Sequence, residues 1–283
     1  MSGHGHGFGY GLNPQAIVGG GGGGGGAAVD SLSNLEVWLD AESYTGGTAP
    51  GPNVTTGHPA NKAVGGSALT MLSNAANHPY KCFGAVGTDG GGPVEIPSPN
   101  GENWWLSAES RLDSALGNHN YFEHQLTTPV NPVSAWSLIV VFFMHSVQNL
   151  GSKRNFIEAG GAPWGQFVCG GNCNANVSDD SGNYTVRVGS SAEIGDAWHI
   201  LVARKSVGGF QMSLDGVEYT DIGNATTANG DINFTYVFKN TQLNTGFGEY
   251  AMYTTDHAMT SLEPVASGLA TKFGISYTYT PAP

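Results

Sequence analysis

Eight consecutive glycines at residues 19–26 constrain this chain more than any other feature. Glycine loses more backbone freedom on ordering than any other residue, so such a run holds neither helix nor strand by itself. It reads as a flexible spacer between two unlike parts. Ahead of it stands a short peptide in which glycine alternates with His4, His6, Phe8, Tyr10 and Leu12, followed by Ile17 and Val18. Glycine there lets another backbone approach closely, while the larger side chains can anchor. The expectation is an assembly arm over residues 1–30, gripping neighbouring chains through Phe8, Tyr10, Leu12, Ile17 and Val18. A domain over residues 31–283 would follow.

The domain has material for a core, with 40% apolar and 10% aromatic residues across the chain. Charged residues make up 11%, against about 25% in ordinary globular proteins. Coiled coils and long-helix proteins need far more charge. The net charge of −12 repels phosphate backbones, so nucleic acid is not an expected partner. The longest apolar run, residues 138–144, is strand-sized and well short of the roughly 20 residues of a membrane span. The first residues lack the basic start and apolar stretch of an export leader, which implies synthesis in a cytoplasm. Three cysteines are too few for a disulfide framework; Cys169 and Cys173 could bridge locally or stay free.

Strand signals recur along the domain. Residues 35–40 alternate apolar and polar. Short strands are expected near 69–72, 81–86, 94–96, 104–106 and 121–126, within a region rich in turn residues. From 135 the signal strengthens. Residues 136–144 are apolar nearly throughout, as in a central strand covered on both faces. Further strands are expected at 154–159, 166–169, 184–188, 198–204, 210–214, 217–221, 232–238 and 247–253. Asp215-Gly216 is a hairpin turn signal. Many short strands with regular turns make an all-β fold, an antiparallel β-sandwich or jelly roll. One helix interrupts the pattern. Thr260-Ser-Leu-Glu263 has the form of a capping box. Leu262, Val265, Ala266, Leu269 and Phe273 then form one apolar stripe, and Gly274 ends it. The tail after 275 alternates Tyr and Thr, as a terminal strand or a docking strip would.

The second half resembles the concanavalin A-like lectin/glucanase superfamily, in its laminin-G-like form. The residues that carry the resemblance are Ala197-Trp-His-Ile-Leu-Val-Ala-Arg204 and Phe210-Gln-Met-Ser-Leu-Asp-Gly216. Phe247-Gly-Glu-Tyr-Ala-Met-Tyr253 and the helix ending in Lys272-Phe-Gly274 follow, and Val37-Trp-Leu-Asp-Ala41 resembles the opening strand. The resemblance implies a jelly roll with Trp198 and Phe210 facing its core. That superfamily spans lectins, glucanases, adhesion modules and viral structural proteins, and fold does not choose among them. A Gly-rich arm ahead of such a domain resembles the layout of tailed-bacteriophage virion proteins of the decoration, head-fibre or tail-appendage type.

Chemistry is sparse. A glycosidase of the superfamily would carry Glu-x-Asp-x-x-Glu, pairing carboxylates on one strand face. Glu95, Glu102, Glu109, Glu123, Glu158 and Glu249 have no such spacing. Metal-binding histidine pairs are absent as motifs, His4 and His6 in the arm aside. Asn172, Asn174, Asn176, Asp179 and Asp180 read as an oxygen-rich loop of the hardness calcium prefers, or as a plain turn. Trp104, Trp105 and Trp164 lie in loop-rich surroundings and are the candidates for stacking on a sugar. The expectation is therefore a non-enzymatic virion structural protein, oligomeric and anchored to other virion subunits by its arm. The alternatives are a carbohydrate-binding module for host or surface glycans, and a glycan-cleaving enzyme.

Overall fold

The computed structural model describes residues 28–45, 54–56, 58–66, 69–72, 80–84, 96–106, 123–133, 135–144, 154–159, 164–169, 173–179, 182–188, 197–206, 209–220, 232–238 and 245–282. The arm residues Phe8, Tyr10, Leu12, Ile17 and Val18, and the His4/His6 pair, lie outside them. The described domain is an antiparallel β-sandwich with a single helix. Its strands in chain order are β1 (Leu35–Asp40), β2 (Tyr44–Thr45), β3 (Val54–Thr56), β4 (His58–Pro59), β5 (Leu69–Leu72), β6 (Tyr80–Cys82), β7 (Trp104–Leu106), β8 (Glu123–Val133) and β9 (Trp136–Met144). The second half adds β10 (Arg154–Ala159), β11 (Trp164–Cys169), β12 (Cys173–Asp179), β13 (Gly182–Val188), β14 (Ala197–Ser206), β15 (Gly209–Leu214), β16 (Val217–Thr220), β17 (Ile232–Phe238), β18 (Thr245–Tyr253) and the helix α1 (Met259–Phe273).

The larger sheet runs β16-β15-β14-β9-β18-β7-β6-β3, with β1 paired along the far half of β18. The second runs β13-β12-β11-β10-β17-β8-β5. β9 is central, as its apolar run demands. Ile139 and Val141 point to the helix side, and Leu138, Val140 and Phe142 on the opposite face are equally buried. β8 carries Pro129 and Pro132, which cannot donate to a ladder. Its partner β5 covers only residues 123–126, and its register against β17 shifts repeatedly beyond them. The prolines thus fall where the ladder is already broken.

α1 lies across one face of the larger sheet. Its stripe of Leu262, Val265, Ala266, Leu269 and Phe273 meets Ile139, Val141, Ile200, Val202, Ala251 and Tyr253. Each of the larger side chains, Leu262, Val265, Leu269 and Phe273, contributes about 1.5–3 kcal/mol when fully buried. Gly248 is where the helix end comes closest: a Cβ there would stand 2.7 Å from the Phe273 ring. Val29 belongs to the same cluster, and its carbonyl accepts the Tyr253 hydroxyl at 2.8 Å.

The helix starts differently from its sequence signature. Its N-cap is Ala258, with no side-chain cap. Glu263 does not turn back to the helix start. It faces the sheet, where Ser213 Oγ donates to it at 3.1 Å and the Tyr277 hydroxyl donates to its other oxygen. A stripe that buries Leu262 and Ala266 turns residue 263 inward as well, so packing overrides the cap. Burial drives the Glu263 carboxyl upward, opposed by these two donors. The C-terminal end is as expected. Gly274 adopts φ 67°, and Ile275 N–H returns to the Ala270 carbonyl at 2.8 Å. The tail then docks on the edge of β16, with Thr280 exchanging backbone bonds with Gly216 and Glu218. The Tyr279 hydroxyl donates to Glu218 at 2.7 Å and is itself pushed up to about 12, through desolvation first and this bond second.

A charged cluster ties β1, β18 and α1 together. Glu249 is 3% exposed and directly opposite Asp40 in the β1–β18 ladder. Trp38 Nε1 donates to one Glu249 oxygen at 2.7 Å, and Lys272 Nζ to the other at 2.9 Å. Lys62 pairs with Asp40 at 2.5 Å and sits 3.9 Å over the Trp38 ring. Desolvation raises the Glu249 carboxyl and the Lys272 charge opposes it. Desolvation pulls the Lys272 ammonium down, and Glu249 more than offsets that.

Two outcomes follow from this packing. Gly216 has φ 89°, and a Cβ there would fall 2.5 Å from the Thr278 carbonyl. Gly216→Ala is expected to cost about 1–3 kcal/mol of backbone strain and to loosen the tail. Urea unfolding and proteolysis of residues 277–283 would measure both effects. Lys272→Met strands Glu249 without its cation and should cost about 3 kcal/mol, the low end for a broken buried pair. The double change Lys272→Met/Glu249→Gln should recover most of that loss.

Candidate functional site

The described residues enclose an open cleft of about 460 Å³ at one end of the larger sheet. Its walls come from three places where the backbone turns left-handed. Asn100 (φ 49°) and Gly101 (φ 78°) form one tight turn, closed by Glu102 N–H to the Pro99 carbonyl at 2.8 Å. Asp215 (φ 51°) and Gly216 (φ 89°) form the β15–β16 turn. Gly274 ends α1 at φ 67°. Positive φ at both central residues marks a type I′ turn, for which Asn-Gly and Asp-Gly are the preferred pairs. Non-glycine residues in that region cluster at functional sites. Among the described residues three have it, and two of these, Asn100 and Asp215, line the cleft.

Each wall is held rigidly. Asn100 Nδ2 donates to the Lys272 carbonyl at 3.0 Å, which pins the turn to the helix end. Asp215 Oδ1 accepts the Ile200 N–H at 2.8 Å, and its backbone N–H returns to the Ile200 carbonyl at 2.9 Å. Its Oδ2 meets His199 Nδ1 at 2.7 Å. Trp198, half-buried, forms part of the floor. Its Nε1 is spent on the Pro97 carbonyl at 2.8 Å, and its ring meets Trp104 edge-on at 5.6 Å. The indole therefore offers the cleft only its apolar body, beside Phe273 and Ile275.

This arrangement bears on catalysis. Among the described residues the cleft lining has one carboxylate, Asp215. His199 and Asp215 make an imidazole–carboxylate dyad, and serines stand nearby. The other ring nitrogen, Nε2, however, is buried with no partner among the described residues. The dyad braces the turn.

The residues expected from sequence fall elsewhere. Trp104 and Trp105 are 0% and 1% exposed, so neither presents a stacking face to solvent. Trp104 donates to the Gly84 carbonyl, and Trp105 stacks on Phe247, its neighbour across the ladder. They lie at the buried junction of β7 and β18, a place that loop-rich flanking sequence conceals. Trp164 opens β11 opposite Ser178; its ring lies outside the described side chains. Asn174, Asn176 and Asp179 lie on strand β12 rather than on a calcium loop, and Asp180 lies outside the described residues. Ala175 and Val177 alternate with those asparagines, a period of two that the asparagine content hides. Cys169 and Cys173 stand opposite each other across β11 and β12. Among the described residues no three His, Cys, Asp or Glu side chains converge as metal ligands do. The cleft residues themselves carried a signal. Trp198-His199 and Asp215-Gly216 are the conspicuous motifs of the second half, read there as architecture. Asn100-Gly101 is the same turn chemistry in a region without strand periodicity.

No protein-family model and no curated protein matches this sequence. Solved structures do match. The botulinum neurotoxin serotype G binding domain superposes with a TM-score of 0.52 at 10% identity, covering 84% of this chain and 51% of that one. The serotype D ligand binding domain in complex with N-acetylneuraminic acid gives 0.51 at 8% identity, covering 88% and 56%. The chain thus spans about half the length of these structures. At such identities the likeness is one of fold: this domain shares a β-sandwich with those binding domains.

Proposed function

We propose that the domain is a non-enzymatic binding module that recognises glycans, with the cleft at Trp198 as its site. The observation that carries this is the cleft itself. Three rigid turns hold an apolar indole beside polar groups in an open depression, and its volume falls within the roughly 300–1,000 Å³ usual for small-ligand sites. A sugar ring has an apolar face and a polar rim, which such a surface matches. The likeness to a sandwich solved with N-acetylneuraminic acid supports the reading at the level of fold. On a glycan array the protein is expected to bind a defined saccharide set. Ser276→Trp, an exposed position in the cleft wall, should abolish that binding while leaving the unfolding midpoint unchanged. Retained binding in that variant would remove the cleft from consideration.

The arm favours a second, compatible reading: display of this module on a virion, joined to other virion subunits through Phe8, Tyr10, Leu12, Ile17 and Val18. Its support is the eight-glycine spacer, which lets a sticky peptide sit at a distance from a folded domain. Many weakly held copies would gain firm attachment through avidity. The cut must spare Val29, which is core. Deleting residues 1–27 is expected to leave a folded domain, by circular dichroism, that no longer co-sediments with particles. A truncated protein that still joins particles would dispose of the arm.

A further inference from the structure

We infer that the cleft takes a neutral saccharide and rejects anionic ones, N-acetylneuraminic acid included. This rests on the glycan-binding reading above and specifies its ligand. Among the described residues the lining has no Lys or Arg. Its histidine among the described residues, His199, has Nδ1 on Asp215 and Nε2 buried. Lys272 directly precedes Phe273, yet its ammonium is drawn to Glu249 at 2.9 Å. Among the described residues no Lys or Arg therefore faces the cleft to meet a carboxylate or sulfate.

Acceptors are plentiful. Asp215 brings a carboxylate with spare lone pairs beyond its two bonds. Asn100 spends its Nδ2 on the helix end, and its Oδ1 accepts no bond among the described residues. The helix supplies more of the same sign. α1 has 15 residues, and its C-terminal carbonyls amount to about half a negative charge. The Lys272 carbonyl is taken by Asn100 and the Thr271 carbonyl by Gly274, whereas the Phe273 carbonyl has no partner among the described residues. A ligand that suits this wall brings hydroxyl donors and no negative charge. The apolar body of Trp198, with Ile275, receives the C–H face of a sugar ring. An anionic sugar would set its carboxylate against Asp215 and the negative helix end, inside a chain of net charge −12. Such like-charge contacts cost several kcal/mol.

The experiment compares galactose-, glucose- and mannose-terminated glycans with sialylated and sulfated counterparts on one array, then measures Kd for the best of each by calorimetry. Neutral glycans are expected to bind at least about tenfold more tightly, the discrimination that a little over 1 kcal/mol of repulsion provides. Ser276→Lys places an ammonium at the cleft wall and should shift the sialylated-to-neutral ratio by about fivefold towards the anion. Wild-type preference for sialylated or sulfated glycans would overturn this inference and leave the binding module standing. An unchanged ratio in Ser276→Lys would overturn it too, since the discrimination would then arise outside the cleft. No saccharide bound in either class would overturn the glycan reading and this inference together.

Discussion

Glu249 is an ionisable group with almost no water, and a carboxylate so placed must be satisfied from all sides. Its partners come from distant parts of the chain. Trp38 arrives from β1, and Lys272 from the last turn of α1. Asp40 stands opposite in the ladder and brings a second negative charge, which Lys62 neutralises while covering Trp38. The strands β1 and β18 and the helix α1 are thereby fixed relative to one another. Apolar packing of α1 alone would allow the helix to slide along its stripe. The Lys272–Glu249 bond, with Phe273 against Gly248, sets where the helix ends.

The cleft depends on that endpoint. Gly274 can reverse the chain only where the helix stops, and Ile275 and Ser276 form a wall because of that reversal. Asn100 reaches across to the Lys272 carbonyl, so the Pro99–Glu102 turn is registered against the same helix end. On the far side Asp215 is registered against β14 through Ile200. Three walls from separate segments are thus held by hydrogen bonds from short side chains to backbone groups and by the helix-end backbone bonds. Such a site is pre-organised, and little ordering would be needed on binding.

Local signals carried most of the fold. The alternation over Leu35–Asp40, the apolar run of Trp136–Met144, the Asp215-Gly216 turn and the stripe ending at Gly274 each state their geometry within a few residues. Tertiary packing defeated local reading where two uses of one residue compete. Glu263 has capping-box spacing, yet the helix is rotated so that this carboxylate meets Ser213 and Tyr277. Trp104 and Trp105 sit among loop residues in sequence, yet β7 inserts beside β18 and buries both. The asparagines of β12 hide its alternation. The cleft was legible only as fragments. Asn100, Asp215 and Gly274 are each a recognisable turn or cap, and their convergence is set by sheet order and helix position, which no local pattern encodes.

Low charge content and the character of the cleft share a cause. The whole chain has only 10 Lys and Arg residues against 22 Asp and Glu. Two of those cations, Lys62 and Lys272, are committed to the acids that hold β1, β18 and α1 together. Lys205 is buried as well. Where cations are this few and so employed, the cleft wall is built from what remains, which is amide, hydroxyl, carboxylate and helix carbonyl. Rigid turns favour the same residues, because Asn, Asp and Gly tolerate positive φ. The backbone requirement for left-handed turns therefore also selects the chemistry of the cleft surface, and that surface accepts hydrogen bonds far more readily than it donates them.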